Sequence, residues 1–339
     1  MPVLILVAAA VGVTQPVGPH SAPDPQMKAV LDELAALNPK PIETLTPAAA
    51  RKQPTPADAV KALLKKQGKP TEPEPVGSVK DITIPGPAGP IPARVYTPQG
   101  TGPFPVLVYW HGGGWVLADL DGYDATPRAL CNAAGCVVVS CHYRQAPEHP
   151  FPAAPEDAFA AYQWVLGNAA SVGGDPKRVA VAGESAGGNL AAVTAVRARD
   201  AGVPVPVHQV LVYPVTDQNY DTPSYREHAD AKPLNTAMMR WFWGHYLAEP
   251  AADTPYVAAP MQVPDLRRLP PATVITADLD PLRSDGQMYA DRLRLAGVPV
   301  TAVNYDGVTH EFFGMGAVVD KAKEAVAKAA EGLKAAFGK

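Results

Sequence analysis

The chain has 339 residues, a formal net charge of −4 and 47% hydrophobic residues. This hydrophobic content suffices for a large buried core and excludes an intrinsically disordered protein. The mild acidity, without a basic stripe, argues against nucleic acid or an anionic membrane as a partner, because both attract clustered Lys and Arg. Of the 39 prolines, 20 precede Trp110, which points to a stiffened N-terminal region instead of a disordered one.

Residues 1–20 begin with an apolar run of signal-peptide length. The run has no positive n-region and is too short to span a bilayer, so no transmembrane segment is predicted. Export to the periplasm or medium is slightly favoured, and a cytoplasmic protein with a packed apolar tail stays open. The three cysteines, Cys131, Cys136 and Cys141, exclude a disulfide scaffold and lack zinc-ligand spacing, so we expect no metal and no cofactor.

The N-terminal residues 21–75 carry two helical patterns on a proline-rich linker, at 25–37 and 56–66. Strand patterns follow at 79–84, 93–97 and 105–109. From there strands and helices alternate, which is typical of a parallel sheet covered by helices. The predicted strands are 136–141, 179–182, 207–213, 273–277 and 299–304, and the predicted helices are 124–134, 155–170, 186–200, 285–296 and 317–336.

Residues 215–265 interrupt this alternation. The segment is too long for an ordinary connection and has its own helical pattern at Thr236 to Leu247. We interpret it as an insertion over the carboxyl edge of the sheet, where open α/β folds bind ligands. The predicted domain organisation is therefore an N-terminal unit, a catalytic domain of residues 76–214 and 266–339, and this insertion.

A G-x-S-x-G motif at residues 183–187 follows a predicted strand and opens a predicted helix. A nucleophile at such a tight turn requires small neighbours, and the helix N-terminus favours developing negative charge. Ser185 is therefore the predicted nucleophile. Glu184 beside it is expected to point away from the site, in a buried ion pair or a hydrogen bond to local backbone.

A glycine loop, His111 to Gly114 followed by Trp115, comes directly after the strand at 105–109. Free N–H groups in such a loop suit an oxyanion hole, with the N–H of Ala186 as a further donor. We expect His111 to brace the loop by hydrogen bonding, with a role as general base as the alternative.

An acid and a histidine are expected after late strands, in that chain order. Asp280 follows the strand at 273–277, and His310 follows the last strand. Asp278 competes with Asp280, but Pro281 fixes the chain after Asp280 and favours it. The alternative role for Asp280 is an N-cap of the next helix.

The motifs HGGGW, GESAGG, YRQAPEHPFPAA and DPLR, with the late His310, together resemble the bacterial hormone-sensitive-lipase-like carboxylesterases of the α/β-hydrolase superfamily over residues 76–338. The resemblance implies a mostly parallel eight-stranded sheet flanked by helices, with a helical cap built from residues 1–75 and 215–265. It implies a triad of nucleophile Ser185, base His310 and orienting Asp280. It also implies oxyanion donors Gly113, Gly114 and Ala186, with Gly112 keeping the loop tight.

The expected function is hydrolysis of short- to medium-chain acyl esters through an acyl-enzyme, by a monomer or homodimer acting on small molecules. Trp241 and Phe242 could line an acyl pocket and Trp115 could border the alcohol side, although aromatic clusters are more often core. Two alternatives stay open: a catalytically silent ligand-binding protein on the same fold, and an amidase or lactonase that uses the same triad.

Overall fold

Eight strands form one sheet in the computed structural model, which describes residues 22–247 and 258–338. Every strand overlaps a run predicted from the sequence. Some extend further, because backbone pairing continues beyond the apolar residues that mark a strand. The strands are β1 (Ser78–Gly86), β2 (Gly89–Thr97), β3 (Phe104–Trp110), β4 (Val137–Cys141), β5 (Gly174–Glu184), β6 (Gln209–Val212), β7 (Ala272–Leu279) and β8 (Val300–Thr309).

The sheet is parallel except at one edge. The spatial order is β1-β2-β4-β3-β5-β6-β7-β8, and only the β1–β2 and β2–β4 pairs are antiparallel. β4 is buried along its whole length, as expected for a strand covered on both faces. The predicted α/β fold with a mostly parallel eight-stranded sheet is confirmed.

Helices cover both faces of the sheet. The described residues contain ten α-helices, of which the short α2 and α7 were not predicted because four or five residues show no helical period. The helices are α1 (Pro25–Ala36), α2 (Pro47–Ala50), α3 (Pro56–Lys66), α4 (Ala125–Ala134), α5 (Ala153–Asn168), α6 (Ala186–Asp200), α7 (Pro223–Glu227), α8 (Thr236–Leu247), α9 (Arg283–Leu295) and α10 (Asp320–Phe337).

The central strands divide the hydrophobic core into two layers, because successive side chains of a strand point to opposite faces. On β3, Val106 and Val108 pack in the layer that contains α5, α6 and α9. Leu107 and Tyr109 pack in the layer that contains α1, α3, α4 and α10. The N-terminal helices α1 and α3 thus share a core with the sheet.

The first helices begin at strong local signals. Asp24 accepts a hydrogen bond from the N–H of Met27 at the start of α1, and Thr55 forms a capping box at the start of α3. Proline stands at the first position of both helices, where its missing N–H costs nothing. Some of the prolines in the N-terminal region are therefore explained by their position at the start of a helix.

Arg51, just after α2, joins the N-terminal helices to loops at the carboxyl edge of the sheet. Its guanidinium donates to the carbonyl oxygens of Val116 and Ala146, at 2.8 and 2.9 Å. It also forms two hydrogen bonds of 2.7 Å with the carboxylate of Glu148. Glu148 therefore anchors the N-terminal region to this edge of the sheet.

The 215–265 segment contains α8 with the predicted bounds, and also α7. Its residues 248–257, like the apolar run of residues 1–20, lie outside the described residues.

Candidate active site

The candidate site lies at the carboxyl edge of the sheet, where four strands end on residues singled out in the sequence. His111 follows β3, Ser185 follows β5, Asp280 follows β7 and His310 follows β8, each as the next residue along the chain. Because parallel strands end at the same edge, the sheet gathers side chains that are distant in the sequence.

Ser185 occupies a sharp turn between β5 and α6, with φ of 55° and ψ of −117°. The turn brings backbones into close contact: a Cβ atom at Gly187 would overlap the carbonyl of Trp110, and one at Gly183 would overlap the backbone of Gly187. Glycine is required at both positions for this reason. The strained turn lifts the Ser185 side chain above the edge of the sheet.

Ser185, His310 and Asp280 form a hydrogen-bonded chain. The Ser185 hydroxyl lies 2.9 Å from His310 Nε2, and His310 Nδ1 lies 2.7 Å from Asp280 Oδ2. The other oxygen of Asp280 accepts the N–H of Leu282 at 2.8 Å. All three side chains of the chain are buried. The competing carboxylate, Asp278, instead pairs with Arg283 at 3.0 Å.

The environment of His310 favours its protonated form. Burial lowers the pKa of His310, but the carboxylates of Asp280, Glu311 and Glu184 raise it by more, so the pKa lies above its ordinary 6.5. An imidazole that accepts a proton from a hydroxyl benefits from such fields, because they stabilise the imidazolium that forms.

The glycine loop after β3 presents backbone N–H groups beside Ser185. Gly113 and Gly114 have φ of 92° and 59°, and within the described ranges no acceptor pairs with their amides. Ala186 is the first residue of α6, so its amide belongs to the unpaired N-terminal turn of that helix. These three amides are free to bind a developing negative charge.

His111 contacts the loop and has no hydrogen bond to Ser185 among the described contacts. Its Nδ1 donates to the carbonyl of Gly112 at 2.8 Å, and its Nε2 lies 3.0 Å from Nδ1 of His142. Burial and the neighbouring His142 lower the pKa of His111 to about 3, so it stays neutral. Tyr143, which was not expected at the site, supports the same loop: its hydroxyl donates to the carbonyls of His111 and Gly112. Its sequence signal is its place in the YRQAPEHP motif.

A cavity of about 1500 Å³ opens over this edge of the sheet and contains Ser185 and His310 in its wall. Residues of α1, α3, α4, α8 and α10 also line it, and Phe242 on α8 packs directly against Gly114. The cavity therefore lies between the sheet edge and the helices of the N-terminal region and the insertion.

Of the three aromatic side chains expected at the site, only Phe242 lines this cavity. Trp115 is fully buried in the core, where its ring stacks on Tyr246 at 4.0 Å between centroids, so it does not border the site. Trp241 points its indole N–H to the carbonyl of Leu45 and packs at the edge of the core. Composition shows that α8 is aromatic but does not show which of its faces turns to the cavity.

Two carboxylates, the buried Glu184 and the half-buried Glu311, stand beside the Ser185–His310 pair. Glu184 accepts hydrogen bonds from the hydroxyls of Tyr109 and Tyr213, which corrects the expected ion pair or backbone contact. Glu311, next to His310, was not expected at the site; its two carboxylate oxygens share the hydrogen bond that the Tyr123 hydroxyl donates. Its only sequence signal is the adjacency to His310.

The described part of the chain holds no group of three or more His, Cys, Asp or Glu side chains arranged for a metal ion. None of its helices combines the length and apolarity needed to cross a bilayer.

Residues 107–314 match the model of a protein family that is described as "alpha/beta hydrolase fold". The chain is 46% identical over 255 residues to esterase LipI of Mycobacterium tuberculosis, covering 73% of this chain and 78% of LipI. It is 45% identical over 254 residues to carboxylesterase NlhH of the same species, covering 73% of this chain and 79% of NlhH.

Solved structures extend the similarity to nearly the whole chain. A hyperthermophilic esterase from Pyrobaculum calidifontis is 41% identical with a TM-score of 0.83, covering 93% of this chain and 98% of that one. A thermostable esterase from Pseudomonas putida ECU1011 is 36% identical, with the same TM-score and coverage. With the fold and its sheet-edge site, these similarities show that the chain hydrolyses carboxylic esters and belongs to the hormone-sensitive-lipase-like carboxylesterases of the α/β-hydrolase superfamily.

Proposed function

We propose that ester hydrolysis proceeds through an acyl-enzyme on Ser185, with His310 as general base and acid and Asp280 as its orienting carboxylate. The observation that carries the proposal is the unbroken chain of hydrogen bonds from Asp280 through His310 to Ser185, in the wall of the large cavity. Each member touches the next at a distance that permits proton transfer or charge stabilisation.

In the first half-reaction, Ser185 Oγ bonds to the acyl carbon while its proton moves to His310 Nε2. The carbonyl π electrons move to oxygen, and we assign the amides of Gly113, Gly114 and Ala186 as the donors that bind this oxyanion. Collapse of the intermediate breaks the bond to the alcohol oxygen, which leaves with the proton from His310. A water molecule then repeats these steps on the acyl-enzyme and releases the acid.

The proposed substrates are esters with short to medium acyl chains. Phe242 supports this choice, because its ring packs directly against Gly114 and limits the room next to the nucleophile. A series of p-nitrophenyl esters of increasing chain length measures the limit. A kcat/KM that keeps rising to the longest soluble chain would contradict the proposal.

We further propose that residues 21–75 and 215–265 form the cap and that residues 76–214 and 266–339 form the catalytic domain. Supporting this division, described residues of both cap segments line the cavity that holds Ser185. The proposed oligomeric state is a monomer or homodimer, since every residue of the proposed site comes from one chain. Light scattering on the purified protein tests it.

The triad is tested with Ser185→Ala. Ser171→Ala is the matched control, because Ser171 is exposed in the turn that follows α5 and does not line the cavity. We expect Ser185→Ala to abolish ester hydrolysis and covalent labelling by a fluorophosphonate, and Ser171→Ala to change neither. Wild-type hydrolysis by Ser185→Ala would refute the proposal. Rates on matched ester and amide substrates separate an esterase from an amidase.

A further inference from the structure

Glu311 places a carboxylate close to the nitrogen of His310 that faces the nucleophile. Glu311 Oε1 lies 3.9 Å from His310 Nε2, while Asp280 contacts Nδ1 on the opposite side of the ring. The backbone of Glu311 is left-handed, with φ of 70°, a conformation that an L residue other than glycine adopts at a cost. The turn after β8 therefore holds this side chain back beside the imidazole of its own neighbour.

The hydroxyl of Tyr123 fixes the Glu311 carboxylate in this position. Tyr123, in the loop before α4, donates to its two oxygens at 2.6 and 2.7 Å. The same hydroxyl packs against Gly112, where a Cβ atom would overlap it. The half-buried carboxylate is thus tied to the glycine loop as well as to the histidine turn.

Glu184 supplies a second carboxylate behind the first. Tyr213, which donates to Glu184, lies with its ring 4.4 Å from the His310 ring. Burial and the charge of Glu311 raise the pKa of Glu184 to about 7, and burial likewise raises the pKa of Glu311. Both carboxylates raise the pKa of His310, and Glu311, whose Oε1 lies 3.9 Å from Nε2, raises it more than Glu184 does.

The groups that act on His310 come from every strand end around it. In the described residues the charged groups are Asp280 after β7, Glu184 at the end of β5, and Glu311 after β8. Tyr213 after β6 is a neutral donor to Glu184, and Tyr123 before α4 is a neutral donor to Glu311. Asp280 alone makes the hydrogen bond that orients the ring. Glu311 and Glu184 act through charge.

We propose that Glu311, supported by Glu184, is a positioning residue of this esterase: it keeps a second negative charge against His310 and stabilises the imidazolium that forms while Ser185 attacks. The inference rests on the proposed triad and deepens it. A three-residue triad places one carboxylate on its histidine, whereas this site places negative charge on both sides of the ring. The added charge makes His310 a stronger base for the proton of the Ser185 hydroxyl.

The test is the pH profile of kcat/KM for Glu311→Gln, which removes the charge but keeps an oxygen that accepts from Tyr123. Loss of the charge lowers the affinity of His310 for a proton. We expect the acidic limb to move to lower pH by about one unit, and kcat on the plateau to fall by up to about tenfold. Glu311→Asp keeps the charge and should leave the limb near its wild-type position.

Glu324→Gln on α10 is the matched control, since Glu324 is exposed and is not among the residues that line the cavity, so the loss of its charge should leave the profile unchanged. If Glu311→Gln does not fold, Glu184→Gln makes the same test, with a smaller displacement in the same direction. An acidic limb that stays in place in the folded variant overturns the inference, whatever the loss of kcat.

His310→Ala separates this inference from the triad on which it rests. An inactive His310→Ala together with an unmoved limb in Glu311→Gln overturns the role of Glu311 and leaves the triad intact. An active His310→Ala overturns both.

Discussion

Gly114→Ala tests the oxyanion loop with a single methyl group. The φ of 59° at Gly114 costs an L residue about 1–2 kcal/mol. The new Cβ atom would also overlap the ring of Phe242 on α8. Since the ring is packed in the core around α8, the loop is the part that we expect to yield, and its amides then leave their position beside Ser185.

The expected magnitude follows from the role of these amides. Losing one oxyanion donor raises the barrier by about 2.7–4 kcal/mol, which lowers kcat about 10²- to 10³-fold. KM should change little, because the donor acts on charge that develops in the transition state. A drop in kcat at nearly constant KM is therefore the signature of this variant.

The assay is steady-state hydrolysis of p-nitrophenyl butyrate, with thermal unfolding measured on the same samples. Gly244→Ala is the matched control: Gly244 is an exposed position within α8 with no atom near a new Cβ. It should keep wild-type kcat and gain about 0.5–1 kcal/mol of stability. The double variant Gly114→Ala/Phe242→Ala separates the overlap from the backbone strain.

A folded Gly114→Ala protein with wild-type kcat would refute the assignment of this loop as the oxyanion hole. Full recovery of kcat in the double variant would show that the overlap with Phe242 causes the loss. Partial recovery would assign the remainder to the left-handed backbone.

Three further predictions concern the base, its orienting carboxylate and the N-terminal anchor. Asp280→Asn should lower kcat about 10⁴-fold, because the amide stabilises the wrong tautomer of His310; a loss below tenfold in steady-state assays would contradict this. The acidic limb of kcat/KM should lie above pH 6.5, since the pKa of His310 is raised and activity falls as pH drops through it; a pH–rate profile with its limb below 6 would be inconsistent. Arg51→Met should lower the free energy of unfolding by about 1–2 kcal/mol, given the partly exposed ion pair of Arg51 with Glu148. It should also raise KM. Urea titration and steady-state kinetics measure these two effects, and an unchanged KM would argue against a role of Arg51 in holding the N-terminal helices.

The sequence locates Ser185, Asp280 and His310 because each stands immediately after a strand whose apolar run is visible. Local rules are enough at such positions: glycines mark the turn around Ser185, and Pro281 favours Asp280 over Asp278. The same rules predict most strands and helices, since burial on both faces leaves continuous apolar runs.

The contacts around the site could not be predicted, because they join residues that are remote in the chain. Tyr123 and Glu311 are 188 positions apart, and Tyr109 and Glu184 are 75 apart. The expectation for Trp115 failed for a related reason: an aromatic residue next to a functional loop can turn into the core or into the cavity, and only packing decides which. Phe242 and Trp241 are sequence neighbours on α8, yet only Phe242 reaches the cavity.

The spread of the site along the chain has a consequence for folding studies. Ser185 and His310 are 125 positions apart, and they meet only because β5, β6, β7 and β8 pair side by side. Such pairing is non-local, so it belongs to the slow part of folding. Return of esterase activity after dilution from denaturant therefore reports the docking of the last strand. A ribosome-bound chain that ends before β8 can fold the turn that carries Ser185, but it lacks His310.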